Sequence, residues 1–174
     1  ERVVAGDEDG EGPLPLPAQE SAPADLARLP APAGRVDFQF ALVCDQRFVR
    51  PTLATMISVL SQVGDRGSVR FVVLGDGLTP ADAALFRSLV HTRFDVDVRV
   101  HDVTSNLDRD VGTEDAKRAT FGRIYLIDHL PEQRTVYLDG DVLATRDFTE
   151  IFSLDLEGAC LAGVPDSAAL RLLA

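Results

Sequence analysis

The sequence lacks any apolar stretch long enough to cross a membrane, and it has no basic-then-apolar leader. A cytoplasmic location is the expectation. Cysteine is scarce. Cys44 and Cys160 are the only two, too few for a disulfide framework and without zinc-site spacing. Both lie in apolar runs (40–44 and 159–164), which reads as small buried hydrophobes. Basic residues are also short: 17 Lys and Arg stand against 28 Asp and Glu, for a net charge of −11. This argues against a nucleic-acid surface, because phosphate backbones demand clustered Lys and Arg. It does not exclude a nucleotide, since a bound metal ion can supply positive charge locally. Internal repeats are absent.

What is present suits a globular protein. Hydrophobic residues make up 45% and charged residues 26% of 174 residues, so one domain is expected. Residues 1–35 stand apart. They hold six of the ten prolines and the acidic run Asp7-Glu8-Asp9 with Glu11. That is linker composition, unable to bury enough apolar area to offset ordering entropy, with only a weak helical tendency at 24–29. The foldable domain is 36–174. The chain opens on Glu1 rather than Met, which reads as a processed or excised fragment.

From Val36 onward the pattern alternates. Residues 38–44 read as a buried strand, 45–48 as a loop and 49–63 as a helix. Val49, Leu53, Met56, Leu60 and Val63 share one helical face, and Gly64 ends it. A second buried strand covers 69–74. Thr79 and Asp82 form a capping box with Pro80 at the first helical position, opening a helix that runs to about Val90. Residues 96–100 alternate like a third strand. Residues 104–115 read as a polar loop, 116–130 as a helix closed by Pro131, 136–138 as a buried strand, 147–152 as a short helix and 159–164 as a last strand. Strands alternating with helices predict a layered α/β fold with a mainly parallel sheet, and ligands bind beyond the carboxyl ends of such strands.

Two loops qualify by position, at Asp45 and at Asp139-Gly140-Asp141. In the second, two carboxylates one residue apart follow an apolar run. Close carboxylates suit a hard divalent cation, and a cation suits a phosphate. A solvated acidic turn is the other reading. His91, His101 and His129 fit no motif and read as surface or capping residues.

The flanking residues resemble a known family. Phe40-Ala41-Leu42-Val43-Cys44-Asp45, then Thr120-Phe121-Gly122-Arg123-Ile124-Tyr125-Leu126, then Leu130-Pro131 and Val136-Tyr137-Leu138-Asp139-Gly140-Asp141-Val142 occur in that order. This is similar to the retaining glycosyltransferases of family eight, the group of glycogenin and the lipopolysaccharide galactosyl- and glucosyltransferases, over about 36–164. The resemblance implies the GT-A fold, a Rossmann-like sheet with a nucleotide-sugar at its strand ends. It implies that Asp139 and Asp141 form the metal-binding DxD motif, for Mn2+ or Mg2+, with Asp139 also near the ribose. It implies that Val43 and Asp45 hold uracil, that Phe48 packs on the base and that Arg123 contacts the donor. Read without the resemblance, Asp45 is a turn residue, Phe48 a core aromatic and Arg123 an exposed helix charge.

The implied reaction is transfer of a hexose from a UDP-sugar to an acceptor hydroxyl of a carbohydrate, lipopolysaccharide or protein, with retention. The family's Asn-Ala-Gly-like segment and its later His-x-x-Gly-x-x-Lys-Pro-Trp-like stretch, with the third metal ligand, have no counterpart here, and the chain has no tryptophan. The sequence therefore reads as the donor-binding half of such an enzyme, truncated at its C-terminus, with an exposed apolar face where the rest would pack. Two other readings stand beside it. One is a non-catalytic donor-binding fragment. The other is a haloacid-dehalogenase-like phosphatase, whose Asp-x-Asp start Leu138-Asp139-Gly140-Asp141 also resembles, although Leu143 departs from that pattern and three strands precede it.

Overall fold

The computed structural model describes residues 34–89, 96–111, 118–130 and 133–164. The expected linker, apart from residues 34 and 35, lies outside them, as do His91 and the end of the chain from 165. Strands β1 (Phe38–Asp45), β2 (Val69–Asp76), β3 (Val96–Asp102) and β4 (Val136–Tyr137) form one sheet in the order β3-β2-β1-β4, and all three pairings are parallel. Helix α1 is Val49–Val63 and α2 is Pro80–Ser88. The expected capping box is present, with Thr79 and Asp82 bonded reciprocally. After β3 the chain returns to the far side of β1. The strand order thus reverses between β1 and β4, where open α/β sheets form their ligand crevice.

Side chains on β1 alternate between two cores. Phe40, Leu42 and Cys44 join Phe71, Val73, Met56, Val59 and Phe86 on one face. Ala41 and Val43 join Val72, Leu74, Leu107 and Leu126 on the other. A strand buried on both faces explains the unbroken apolar runs. The rings of Phe148 and Phe152 meet Phe40 edge-on, at 5.8 and 5.3 Å between centroids. They seat the 3-10 turn Thr149–Phe152 on the sheet.

Four expectations are corrected. Residues 104–115 were expected as loop, yet helix α3 spans Thr104–Asp110. Val103, Leu107 and Val111 recur at four-residue spacing and dock its one apolar stripe, though the surrounding polar residues mask it. In place of one α-helix at 116–130, a 3-10 segment, Arg118–Tyr125, leads into the single turn α4, Leu126–His129. The run 136–138 is not an interior strand: β4 is short, half-buried and paired only with β1 among the described residues. Residues 159–164 form no strand. They are exposed, and so is Cys160; an apolar run without a sheet neighbour cannot satisfy its backbone as a strand. The stretch 142–164 exposes Val142, Leu143, Leu154, Leu161 and Val164.

A polar chain crosses the amino-terminal part of the sheet. Gln39, Arg70 and Asp97 are neighbours in register on β1, β2 and β3. Arg70 donates from Nε to Asp97 Oδ2 at 2.7 Å and from Nη2 to the Gly34 carbonyl at 2.8 Å. Gln39 Nε2 donates to Thr135 Oγ1 at 2.6 Å, beside β4. The Arg70 and Asp97 side chains are only 1% and 4% exposed. A buried ion pair contributes register more than net stability, but breaking one half strands the other charge. Asp97→Ala is expected to cost about 3–5 kcal/mol, and Arg70→Met with Asp97→Leu together less than that. Urea unfolding of the three chains decides it; an Asp97→Ala chain as stable as the wild type contradicts the account.

Candidate active site

A cleft of about 430 Å3 opens at the carboxyl ends of β1 and β4. Val43, Asp45, Arg47 and Phe48 form one wall. Ala119, Thr120 and Arg123 come from the 3-10 segment, and Tyr137, Asp139, Gly140 and Asp141 from the end of β4. Every site residue singled out from the sequence lines this space, although the three segments are far apart in the chain. Arg47, Thr120 and Tyr137 line it too and were not anticipated.

Each wall has a local cause. Asp45 ends β1 in extended conformation and caps the following 3-10 turn, Gln46–Phe48. Its Oδ1 accepts from the backbone N–H groups of Arg47 and Phe48 at 2.8 and 3.1 Å. Its Oδ2 accepts from Arg47 Nε and Nη2 at 3.2 and 2.8 Å. Asp45 is therefore a turn-capping residue and a cleft residue at once. Phe48 is 43% exposed on the cleft wall instead of packed in the core. Arg123 donates from Nε to the Thr120 carbonyl at 2.9 Å, and its guanidinium carbon lies 5.3 Å from the Tyr137 ring centroid, within cation–π range.

The Asp-Gly-Asp turn is pressed against α1. A Cβ on Gly140 would collide with the buried Thr52 Oγ1 and come within 3.6 Å of the Val43 carbonyl. Thr55 Oγ1 donates to the Val142 carbonyl at 2.7 Å, and Ala144 N donates to Ser58 Oγ at 2.9 Å. Thr52, Thr55 and Ser58, three residues apart, thus form a polar row on α1 that receives residues 140–144. Gly122 plays the matching part opposite, where a Cβ would stand 2.7 Å from Val43 Cγ1.

The strand-end carboxylates divide into two kinds. Asp45 pairs with Arg47, and Asp76 with Arg118 through bonds of 2.8 and 2.5 Å; Arg118 also bonds Asp108. Asp102 accepts from the N–H and hydroxyl of Thr104, which hold its pKa below the usual carboxylate value. Asp139 and Asp141 are exposed and have no ion-pair partner among the described residues. Among the described residues Asp139 Oδ1 accepts only from the Tyr137 hydroxyl, at 2.9 Å. Two uncompensated carboxylates facing a cleft fit a hard divalent cation. No cluster of three or more His, Cys, Asp or Glu that could hold a metal occurs among the described residues.

Other reactive groups are set aside by their surroundings. Burial pushes the Cys44 thiol up to about 11, which leaves it a protonated, packed group. Burial, and then the bond to Asp139, push the Tyr137 hydroxyl well above the ordinary phenol value, so it stays a donor. The expectation of surface histidines is corrected. His101 is half-buried on β3 and stacks on His129 of α4 with centroids 4.6 Å apart. Its pKa is lowered, first by burial and then by His129 and Arg99. Neither histidine lines the cleft.

With this geometry in hand, comparison with known proteins is decisive for the family. The chain matches glycosyl transferase family 8 over residues 39–172. It belongs to that family. The probable galacturonosyltransferase-like 4 of Arabidopsis thaliana is 26% identical over 129 residues, 70% of this chain and 36% of its own length. The glycosyltransferase GlyB of Streptococcus pneumoniae serotype 4 is 39% identical over 49 residues, 28% of this chain and 12% of its own. Among solved structures, the galactosyltransferase LgtC in complex with donor and acceptor sugar analogs superposes with a TM-score of 0.57 at 23% identity, covering 68% of this chain and 43% of that one. The apo bifunctional glycosyltransferase WbbM gives 0.59 at 16%, covering 72% and 22%. These neighbours establish the GT-A fold. The chain spans about a third of the length of the Arabidopsis relative and under half of LgtC.

The packing at Gly140 can be tested by a paired substitution. Gly140→Ala is expected to cost about 1–3 kcal/mol by overpacking. Removing the clashing hydroxyl with Thr52→Ala in the same chain should restore most of that loss. Thermal unfolding of the single and double variants checks this; a neutral Gly140→Ala, or no recovery in the double variant, contradicts the close approach.

Proposed function

We propose that the protein transfers a hexose from a UDP-sugar to an acceptor hydroxyl with retention at the anomeric carbon, and that this chain carries the donor half of the site. One observation carries the reading: Asp139 and Asp141, without an ion-pair partner among the described residues, face the same cleft as Asp45, Phe48 and Arg123. In this reading Val43 and Asp45 bind uracil, and the exposed Phe48 ring packs on the base. Arg123 offers its guanidinium to diphosphate oxygens, which its planar fork suits. Asp139 and Asp141 would hold a manganese or magnesium ion, with Asp139 also reaching the ribose. Such an ion, when bound, neutralises charge on the departing diphosphate.

The protein's own contribution is to hold base and diphosphate in register at the strand ends. Family membership supports a glycosyl transfer, and the Arabidopsis relative's name points to a uronic acid as one donor sugar to try. The acceptor in this reading is a hydroxyl of a carbohydrate, a lipopolysaccharide or a protein. That no group of three or more His, Cys, Asp or Glu able to hold a metal occurs among the described residues favours a second reading for the chain alone, in which it binds donor without turning it over.

Calorimetric titration of UDP with and without manganese tests both. Binding is expected to strengthen with the metal, and that gain to fall on the order of tenfold or more in Asp141→Ala. Metal-independent binding, equal in wild type and Asp141→Ala, would overturn the assignment of the carboxylates.

A further inference from the structure

Tyr137 joins the two halves of the donor cleft. Residues two apart in an extended chain share a face, so Tyr137 on β4 projects beside Asp139. Its hydroxyl donates to Asp139 Oδ1 at 2.9 Å. The other oxygen of that carboxylate, and both oxygens of Asp141, take no hydrogen bond from the described residues, so this contact is what restricts how the Asp139 carboxylate turns. The ring of the same residue lies under Arg123, 5.3 Å from its guanidinium carbon to the centroid. Arg123 belongs to a different segment, whose position depends on Gly122 lying close to Val43. The Tyr137 backbone is held in turn by pairing with Ala41 on β1, and its ring packs against the second core. One half-buried side chain therefore touches both the carboxylate and the guanidinium that face the cleft.

Resting on the donor-site reading above, we propose that Tyr137 is a positioning residue that sets the orientation of both: its hydroxyl aims Asp139 with one oxygen turned to the cleft, and its ring face holds Arg123 extended toward the diphosphate. The two contacts use different parts of the side chain, so substitution separates them. A hydrogen bond to one carboxylate oxygen leaves the other available to a cation, the arrangement in which an outer partner orients a metal ligand. The cation–π contact takes up none of the guanidinium's N–H donors, and among the described residues only Nε is given to the protein, to the Thr120 carbonyl.

The test is a pair of titrations on three chains: wild type, Tyr137→Phe and Tyr137→Leu. The first follows free manganese by its electron paramagnetic resonance signal in the presence of UDP. The second follows UDP binding without metal. Tyr137→Phe keeps the ring and loses the hydroxyl. It is expected to weaken manganese uptake on the order of tenfold and to leave metal-free UDP binding within about twofold, a change too small to reflect a lost contact of about 1 kcal/mol. Tyr137→Leu is expected to weaken both. Manganese uptake by Tyr137→Phe equal to wild type overturns the hydroxyl's role. Equal losses in both titrations for Tyr137→Phe overturn the separation and leave a merely structural residue. A wild-type chain that takes up neither manganese nor UDP overturns the donor reading itself, and this inference with it.

Discussion

The architecture of the cleft depends on how closely two other segments approach the end of β1. Val43 is the pivot. On one side Gly122 brings the 3-10 segment against its side chain, and on the other Gly140 brings the Asp-Gly-Asp turn against its carbonyl and against Thr52 of α1. A side chain at either glycine would push its segment away from the strand. Interiors are packed too tightly to absorb that without a shift. Arg123 follows the first glycine by one residue, and Asp139 and Asp141 flank the second. The chemistry-bearing residues are thus attached to the points of closest approach, where position is best determined.

Charge is distributed with the same economy. The carboxylates that end β1, β2 and β3 are tied up by Arg47, Arg118 and Thr104, and they hold turns and segments in place. The carboxylates after β4 are not. Asp139 and Asp141 are exposed and form no ion pair with the described residues, and Asp139 keeps a hydrogen bond from the Tyr137 hydroxyl. The sheet's polar chain, Asp97–Arg70–Gln39–Thr135, lies toward the opposite end of the strands. Structural polarity at one end and uncompensated charge at the other follow the usual layout of open α/β sheets, with binding at the carboxyl ends.

Much of this was legible in the sequence. Helix α1 has the bounds its periodicity and Gly64 predict, and the Thr79–Asp82 capping box is where its spacing puts it. Buried parallel strands read clearly because both faces are apolar. What failed shares one cause: short-range pattern does not report neighbours. Residues 159–164 have strand composition and no strand to pair with among the described residues. Helix α3 has a single narrow apolar stripe in a polar segment. The cleft residues were found through the roles the resemblance implies, so lining residues to which it gives no role were missed. Arg47 lies outside the quoted segments, and Thr120 lies inside one but carried no signal of its own. Tyr137 carried a weak one, its two-residue spacing from Asp139 at the end of a strand. The polar row Thr52, Thr55 and Ser58 was hidden within a helix read only for its apolar face.

The central claim is that one cleft at the ends of β1 and β4 holds a nucleotide diphosphate through a metal ion at Asp139 and Asp141. Anomalous diffraction from crystals of the chain grown with UDP and manganese tests it most directly. The account predicts a single strong manganese peak within coordination distance of both carboxylates, bridged to the diphosphate, with uracil lying between Phe48 and Asp45. A manganese peak elsewhere on the surface, or UDP density outside this cleft, would contradict it.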